Sequence, residues 1–73
     1  MVKMINLEAT GKNIRKIRRS EGISVRHLQA VLGLSSEQAI YKWENGKCLP
    51  TIDNLVILAD ALGVTVDEIL VVE

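Results

Sequence analysis

Residues capable of reactive chemistry are few in this chain, and they do not pair. His27 is the single histidine and Cys48 the single cysteine, with no second ligand at metal-binding spacing and no neighbouring base to activate the thiol. No nucleophile–base set, acid–base pair, phosphate-cradling loop or metal cluster emerges, so the sequence points away from an enzyme, a metal site and a cofactor. What remains is polar recognition. Gln38 offers a donor and an acceptor side by side, the pattern that matches N6 and N7 of adenine. Glu37 can accept from a cytosine amine. Lys42, four residues beyond Gln38 and on the same helical face, can donate to guanine or to phosphate. Tyr41 can donate its hydroxyl to phosphate. Each has a plainer alternative: Gln38 closing a capping box with Ser35, Glu37 favouring a helix N-terminus, Lys42 solvated, and Tyr41 packed at the surface.

Such side chains act together only if short helices hold them on one surface. Asn6 is placed to cap a helix over about residues 7–21, stopped by Gly22, with Leu7, Gly11, Ile14 and Ile17 inward and Lys12, Arg15, Lys16 and Arg19 mostly outside that stripe. The interior Gly11 lowers helix propensity by about 1 kcal/mol and predicts loose first turns. Ser24 caps a second helix over 25–32, carrying Leu28 and Leu32 and ended by Gly33. Ser35-Ser36-Glu37-Gln38 fits a capping box with Ser35 as cap and Ser36 as its rival. It opens a third helix over about 36–44, with Ile40 and Trp43 inward and Asn45-Gly46 as a stop. Thr51 caps a fourth, 52–62, with Ile52, Leu55, Leu58, Ala59 and Leu62 as its core stripe. Thr65 to Glu68 forms a second capping box, opening a fifth over 66–71 with Val66, Ile69 and Leu70. Val71-Val72 either prolongs this helix or ends as a tail. No strand pattern competes, apart from weak alternation at Val2 to Ile5. The expected class is all-α, one domain over residues 1–73.

A net charge of zero conceals an asymmetry. The first 48 residues hold all nine Lys and Arg with four acids, a balance of +5; the last 25 hold five acids and no cation, a balance of −5. A protein so polarised can meet phosphate with its basic end and direct the acidic end away. The longest uninterrupted apolar run, Leu55 to Ala59, falls far short of the ~20 residues of a membrane span. The opening residues hold no run of signal-peptide length, and a small secreted domain would usually need disulfides. A soluble, cytoplasmic protein with no membrane partner is expected.

Two short helices joined by a tight, glycine-containing turn are the mechanical unit of a helix-turn-helix. The stretch Ile14-Arg15-Lys16-Ile17-Arg18, Gly22-Ile23-Ser24, Leu28, Leu32-Gly33, Ile40-Tyr41-Lys42-Trp43-Glu44-Asn45-Gly46, Leu49-Pro50, Leu55, Ala59-Asp60-Ala61-Leu62-Gly63-Val64 and Asp67-Glu68-Ile69-Leu70 resembles the Cro/C1-type (XRE) helix-turn-helix family over about residues 10–70. Its most specific part is Lys42 to Gly46 followed by Leu49-Pro50 and the Leu62-Gly63-Val64 turn. The resemblance implies a five-helix lambda-repressor-like fold whose helices two and three read a short double-stranded DNA operator, commonly as a homodimer on a palindrome. It implies base reading by Glu37, Gln38 and Lys42. It implies backbone contacts by Ser24, Arg26, Asn45 and Lys47, which Tyr41 joins on its own chemistry. It implies a buried ion pair between Arg18 and Glu44. Two departures stand out: Gln29 occupies a position where the family usually has a small residue, and one extra residue separates Gly33 from Trp43. A longer turn that moves helix three outward would make room for Gln29 and slide the base contacts by one position.

The resulting expectation is a transcriptional regulator acting as a repressor, with dimerisation through the last two helices using Ile57, Val71 and Val72. Two alternatives use the same scaffold: the antitoxin of a toxin–antitoxin pair, with a protein partner, and a protein-interaction module whose groove-reading face is idle.

Overall fold

A computed structural model describes residues 3–73. Among them five α-helices occur: α1 Leu7–Ser20, α2 Val25–Leu32, α3 Gln38–Glu44, α4 Ile52–Leu62 and α5 Val66–Ile69. Four begin at a side-chain cap. Asn6 Oδ1 accepts from Ala9 N–H at 3.0 Å, Ser24 Oγ from His27 N–H at 3.0 Å, and Thr51 Oγ1 from Asn54 N–H at 3.2 Å. Each satisfies an N–H that a helix start leaves without an internal partner.

Thr65 and Glu68 form the reciprocal box on α5. Glu68 N–H donates to Thr65 Oγ1, while the Thr65 amide and hydroxyl both donate to Glu68 Oε1, at 3.0 and 3.1 Å. These bonds favour the carboxylate and hold the Glu68 carboxyl below its ordinary value of 4.5. A carboxyl depressed by folding contributes stability above its unfolded pKa, and that contribution is lost as pH falls through the folded value. In Thr65→Ala the Glu68 carboxyl is expected to titrate closer to its ordinary value, which side-chain carboxyl NMR over pH 2–7 checks.

The apolar faces converge on a core of Ile14, Leu28, Ile40, Leu58, Leu62 and Ile69, all essentially without solvent exposure, edged by Trp43 and Ala59. In it α1 packs on α3, α2 on α4, and α5 against both α1 and α4.

Several local expectations yield to tertiary contacts. Leu7 and Ile52, expected inward, are 40% and 80% exposed, because each opens its helix beyond the edge of the core. Helix α1 ends at Ser20, with Glu21 as its C-cap. Helix α3 starts at Gln38, and the Ser35–Gln38 box does not form: Glu37 is the N-cap without a side-chain bond, and Ser36 Oγ takes the Gln38 N–H at 3.3 Å. Residues 33–37 form the turn before it.

Helix α5 stops at Ile69 instead of running to residue 71, since Leu70 is extended. The Thr10 hydroxyl, buried on α1, accepts from Val71 N–H at 3.0 Å and draws the chain out of the helix. Asn13 Nδ2 donates to the Glu68 and Ile69 carbonyls at 2.7 and 2.9 Å, satisfying acceptors that the short helix leaves open. Residues 71–73 then run antiparallel to residues 4–6, with Asn6 N–H to Val71 O at 2.8 Å and Glu73 N–H to Met4 O at 2.9 Å around an Ile5–Val72 bridge. Val72 is therefore neither helix nor free tail. Val2, at the start of the weakly alternating segment, lies outside the described residues.

Candidate nucleic-acid interface

Helices α2 and α3 are joined by residues 33–37. Gln29, in the last turn of α2, reaches across with Nε2 donating to the Leu34 carbonyl at 3.2 Å. Gln29 thus satisfies a carbonyl of the turn that follows its own helix.

Helix α3 divides its residues between two environments. Ile40, Trp43 and Glu44 face the core and are at most 5% exposed. Gln38, Tyr41, Lys42 and Asn45 face outward and, with Lys47 and Cys48 of the following loop, line one shallow depression. Lys47 arrives there because the turn after α3 folds back, its N–H donating to the Lys42 carbonyl at 2.9 Å. That turn needs Gly46 on two counts. Its φ is +73°, and an added Cβ would stand 2.9 Å from the Cα of Glu8.

The outward group is mostly uncommitted. Gln38 and Lys42 are exposed, and neither side chain has a hydrogen-bond partner among the described residues. Glu37 is half-buried and accepts from the Tyr41 hydroxyl at a long 3.4 Å. The five acids of the last 25 residues lie in α4, α5 or after them, and none lines the depression. Ser24 and Arg26 stand at the start of α2, apart from this group; the Ser24 hydroxyl is occupied as cap, and Arg26 is exposed.

Behind the outward group lies an ionic cluster. Glu44, its side chain 1% exposed, takes Arg18 Nε on Oε2 at 2.7 Å and Arg18 Nη2 on Oε1 at 3.1 Å. Arg18 Nη1 also donates to the Ile23 carbonyl at 3.1 Å, so one guanidinium ties α1, the α1–α2 turn and α3 together. Hydrogen bonding to Glu44 raises the Arg18 pKa above its ordinary value, against the opposing effect of desolvation. A third member, Arg15, donates from Nε to Glu44 Oε1 at 3.3 Å and from Nη2 to Asn45 Oδ1 at 3.2 Å. Sequence reasoning set Arg15 aside as surface charge. Its one signal was a position three residues before Arg18, which places both on the same flank of α1.

The comparisons with known proteins fall on this same assembly. A helix-turn-helix family model matches residues 14–69, the span from the middle of α1 to the end of α5. The chain belongs to the XRE-type helix-turn-helix family. As an XRE-type domain it is a non-enzymatic, DNA-binding unit of transcription regulation. Ten solved chains match it. The restriction-modification controller protein C.AhdI from Aeromonas hydrophila is similar at 27% identity and a TM-score of 0.77, over 86% of this chain and 94% of that one. The BldD DNA-binding domain of S. venezulae is similar at 27% identity and a TM-score of 0.73, over 90% of this chain and 97% of that one. The clp gene regulator ClgR from Corynebacterium glutamicum shares the fold at 24% identity and a TM-score of 0.80, over 90% of this chain and 69% of that one. No curated protein sequence matches this XRE-type domain. No helix among its described residues is long and apolar enough to cross a membrane.

Proposed function

We propose that this domain binds a specific double-stranded DNA operator by laying α3 in the major groove, and that it represses transcription by occupying that site. The observation that carries this is the outward side of α3, where Gln38 and Lys42 are exposed and free of protein partners, with Asn45 and Lys47 at the rim. A major groove about 12 Å wide admits one helix with its side chains, and the N-terminal residues of that helix meet base edges first. Gln38, the first residue of α3, reads adenine; Lys42 reads guanine or an adjoining phosphate; Glu37 accepts from a cytosine amine. Ser24, Arg26, Tyr41, Asn45 and Lys47 meet the sugar–phosphate backbone. Arg18 and Glu44 are structural. Repression requires only occupancy. A cytoplasmic location, in reach of the DNA, is part of this reading.

Operator recognition is assigned to a homodimer formed through the last two helices. Support comes from Ile57 of α4, which is 40% exposed despite being apolar; Val71 is half-buried, and Val72, 52% exposed, lies beyond α5 in the pairing with residues 4–6. A dimer predicts palindromic half-sites about one helical turn apart.

Selection from a random duplex library identifies the operator, and anisotropy titrations on it test the assignments. Specific binding is expected to exceed random-duplex binding by about 10³-fold or more. Gln38→Ala is expected to lose about 1–3 kcal/mol of discrimination at one base position. Lys42→Ala is expected to do the same at a neighbouring position, or, if it meets phosphate, to reduce the salt slope by about 0.9. Unchanged titrations for both variants, with helicity intact, would leave the face idle and favour a protein-interaction module.

A further inference from the structure

Asn45 stands on the divide between two surface depressions: the one on the outward side of α3, and a second lined by Glu8, Lys12, Arg15, Glu44 and Asn45 itself. Its amide has an acceptor end and a donor end, and which of them faces outward decides what it can bind. The structure fixes this. Arg15 Nη2 lies 3.2 Å from the Asn45 side chain. A guanidinium carries donors only, so the atom meeting it must be the amide oxygen. The Nδ2 amine is thereby turned away from Arg15 and has no hydrogen-bond partner among the described residues. A free donor on an exposed residue suits a phosphate oxygen; a flipped amide would leave its oxygen free instead and repel one.

Arg15 is itself held. Its Nε donates to Glu44 Oε1 at 3.3 Å, and that carboxylate is fixed by the two-point contact with Arg18. We infer that Arg15 is a positioning residue for DNA binding: anchored on the buried Glu44 carboxylate, it sets the Asn45 amide with its amine toward the phosphate backbone. This rests on the proposed backbone contact of Asn45. The role needs a planar fork whose separate nitrogens reach Glu44 and Asn45 together. The compact ammonium of a lysine keeps the charge but not that bridge.

The variants are Arg15→Lys, Asn45→Ala and the two combined, titrated against the selected duplex over a range of salt. The Asn45 side-chain amide order is measured by NMR in the free protein. Arg15→Lys is expected to weaken binding about three- to tenfold, a large part of one charge-assisted hydrogen bond. Its salt slope should stay unchanged because the charge is retained. The double variant should bind no more weakly than Asn45→Ala alone, and the amide order should fall in free Arg15→Lys. Additive losses would overturn the inference by making Arg15 a DNA contact in its own right, and so would an unchanged Asn45 amide order. If the wild-type domain selects no duplex, the DNA assignment fails, while the amide order still decides whether Arg15 orients Asn45.

Discussion

Glu44→Ala is expected to destabilise the domain by about 3–5 kcal/mol, because it leaves the Arg18 guanidinium in the interior without its counter-charge. The side chains of Glu44 and Arg18 are 1% and 11% exposed, so water replaces the lost partner only in part. For a chain of this size total stability is about 4–11 kcal/mol, and the variant gives up much of it. Urea unfolding followed by circular dichroism measures the loss: with a slope near 1 kcal/mol/M the midpoint should fall by about 3 M or more. The cause is distinguishable from general disruption. Removing both charges with Arg18→Met and Glu44→Leu should cost less than Glu44→Ala alone, since an apolar pair leaves no orphaned ion. A double variant weaker than the single one would assign the effect to packing. Arg15, with its side chain 40% exposed, is open to solvent and contributes little by comparison.

Gly11→Ala is expected to lose about 2 kcal/mol, and Gly11→Val to lose more. At this position α1 crosses the end of α3 with no room for a side chain. A Cβ would stand 2.7 Å from the Glu44 carbonyl oxygen and overlap that of Trp43. Both obstacles are backbone, so relief requires moving the end of α3, which carries Glu44 and is capped by Asn45. Helix propensity acts the other way, favouring Ala over Gly by about 1 kcal/mol. Overpacking typically costs about 1–3 kcal/mol, and here the obstruction cannot rotate aside, so the steric effect wins. Thermal melts decide the matter: Tm should fall by about 4–8 °C for each kcal/mol. A raised Tm for Gly11→Ala would show that the crossing can widen. The same glycine reads in the sequence as a weakness of the first turns, whereas in the structure it is where two helices approach most closely.

The course of α3 shows how far local signals reach. Ile40 and Trp43, three residues apart, correctly indicate its inward side, and Asn45-Gly46 its end. The capping box at Ser35 was equally plausible by residue type yet does not form. The turn must span from α2 to α3 over a fixed gap, and that spacing, set by the core, takes up Ser35 and Ser36. Gln38 consequently stays clear of a cap and faces outward. Periodicity alone left those two roles open.

Residue order by itself determined the all-helical class, four helix starts and the core stripes apart from Leu7 and Ile52, because a cap and its recipient amide lie three positions apart and an apolar stripe repeats within a turn. Only the tertiary structure decided where α5 stops, why Thr10 and Asn13 are needed, and which cation orients Asn45. Thr10 meets Val71 and Asn13 meets Glu68 across 61 and 55 positions, and Arg15 meets Asn45 across 30. Contacts of that range exist only once α1, α3 and α5 have packed together, and the residue types of those partners carry no mark of the pairing.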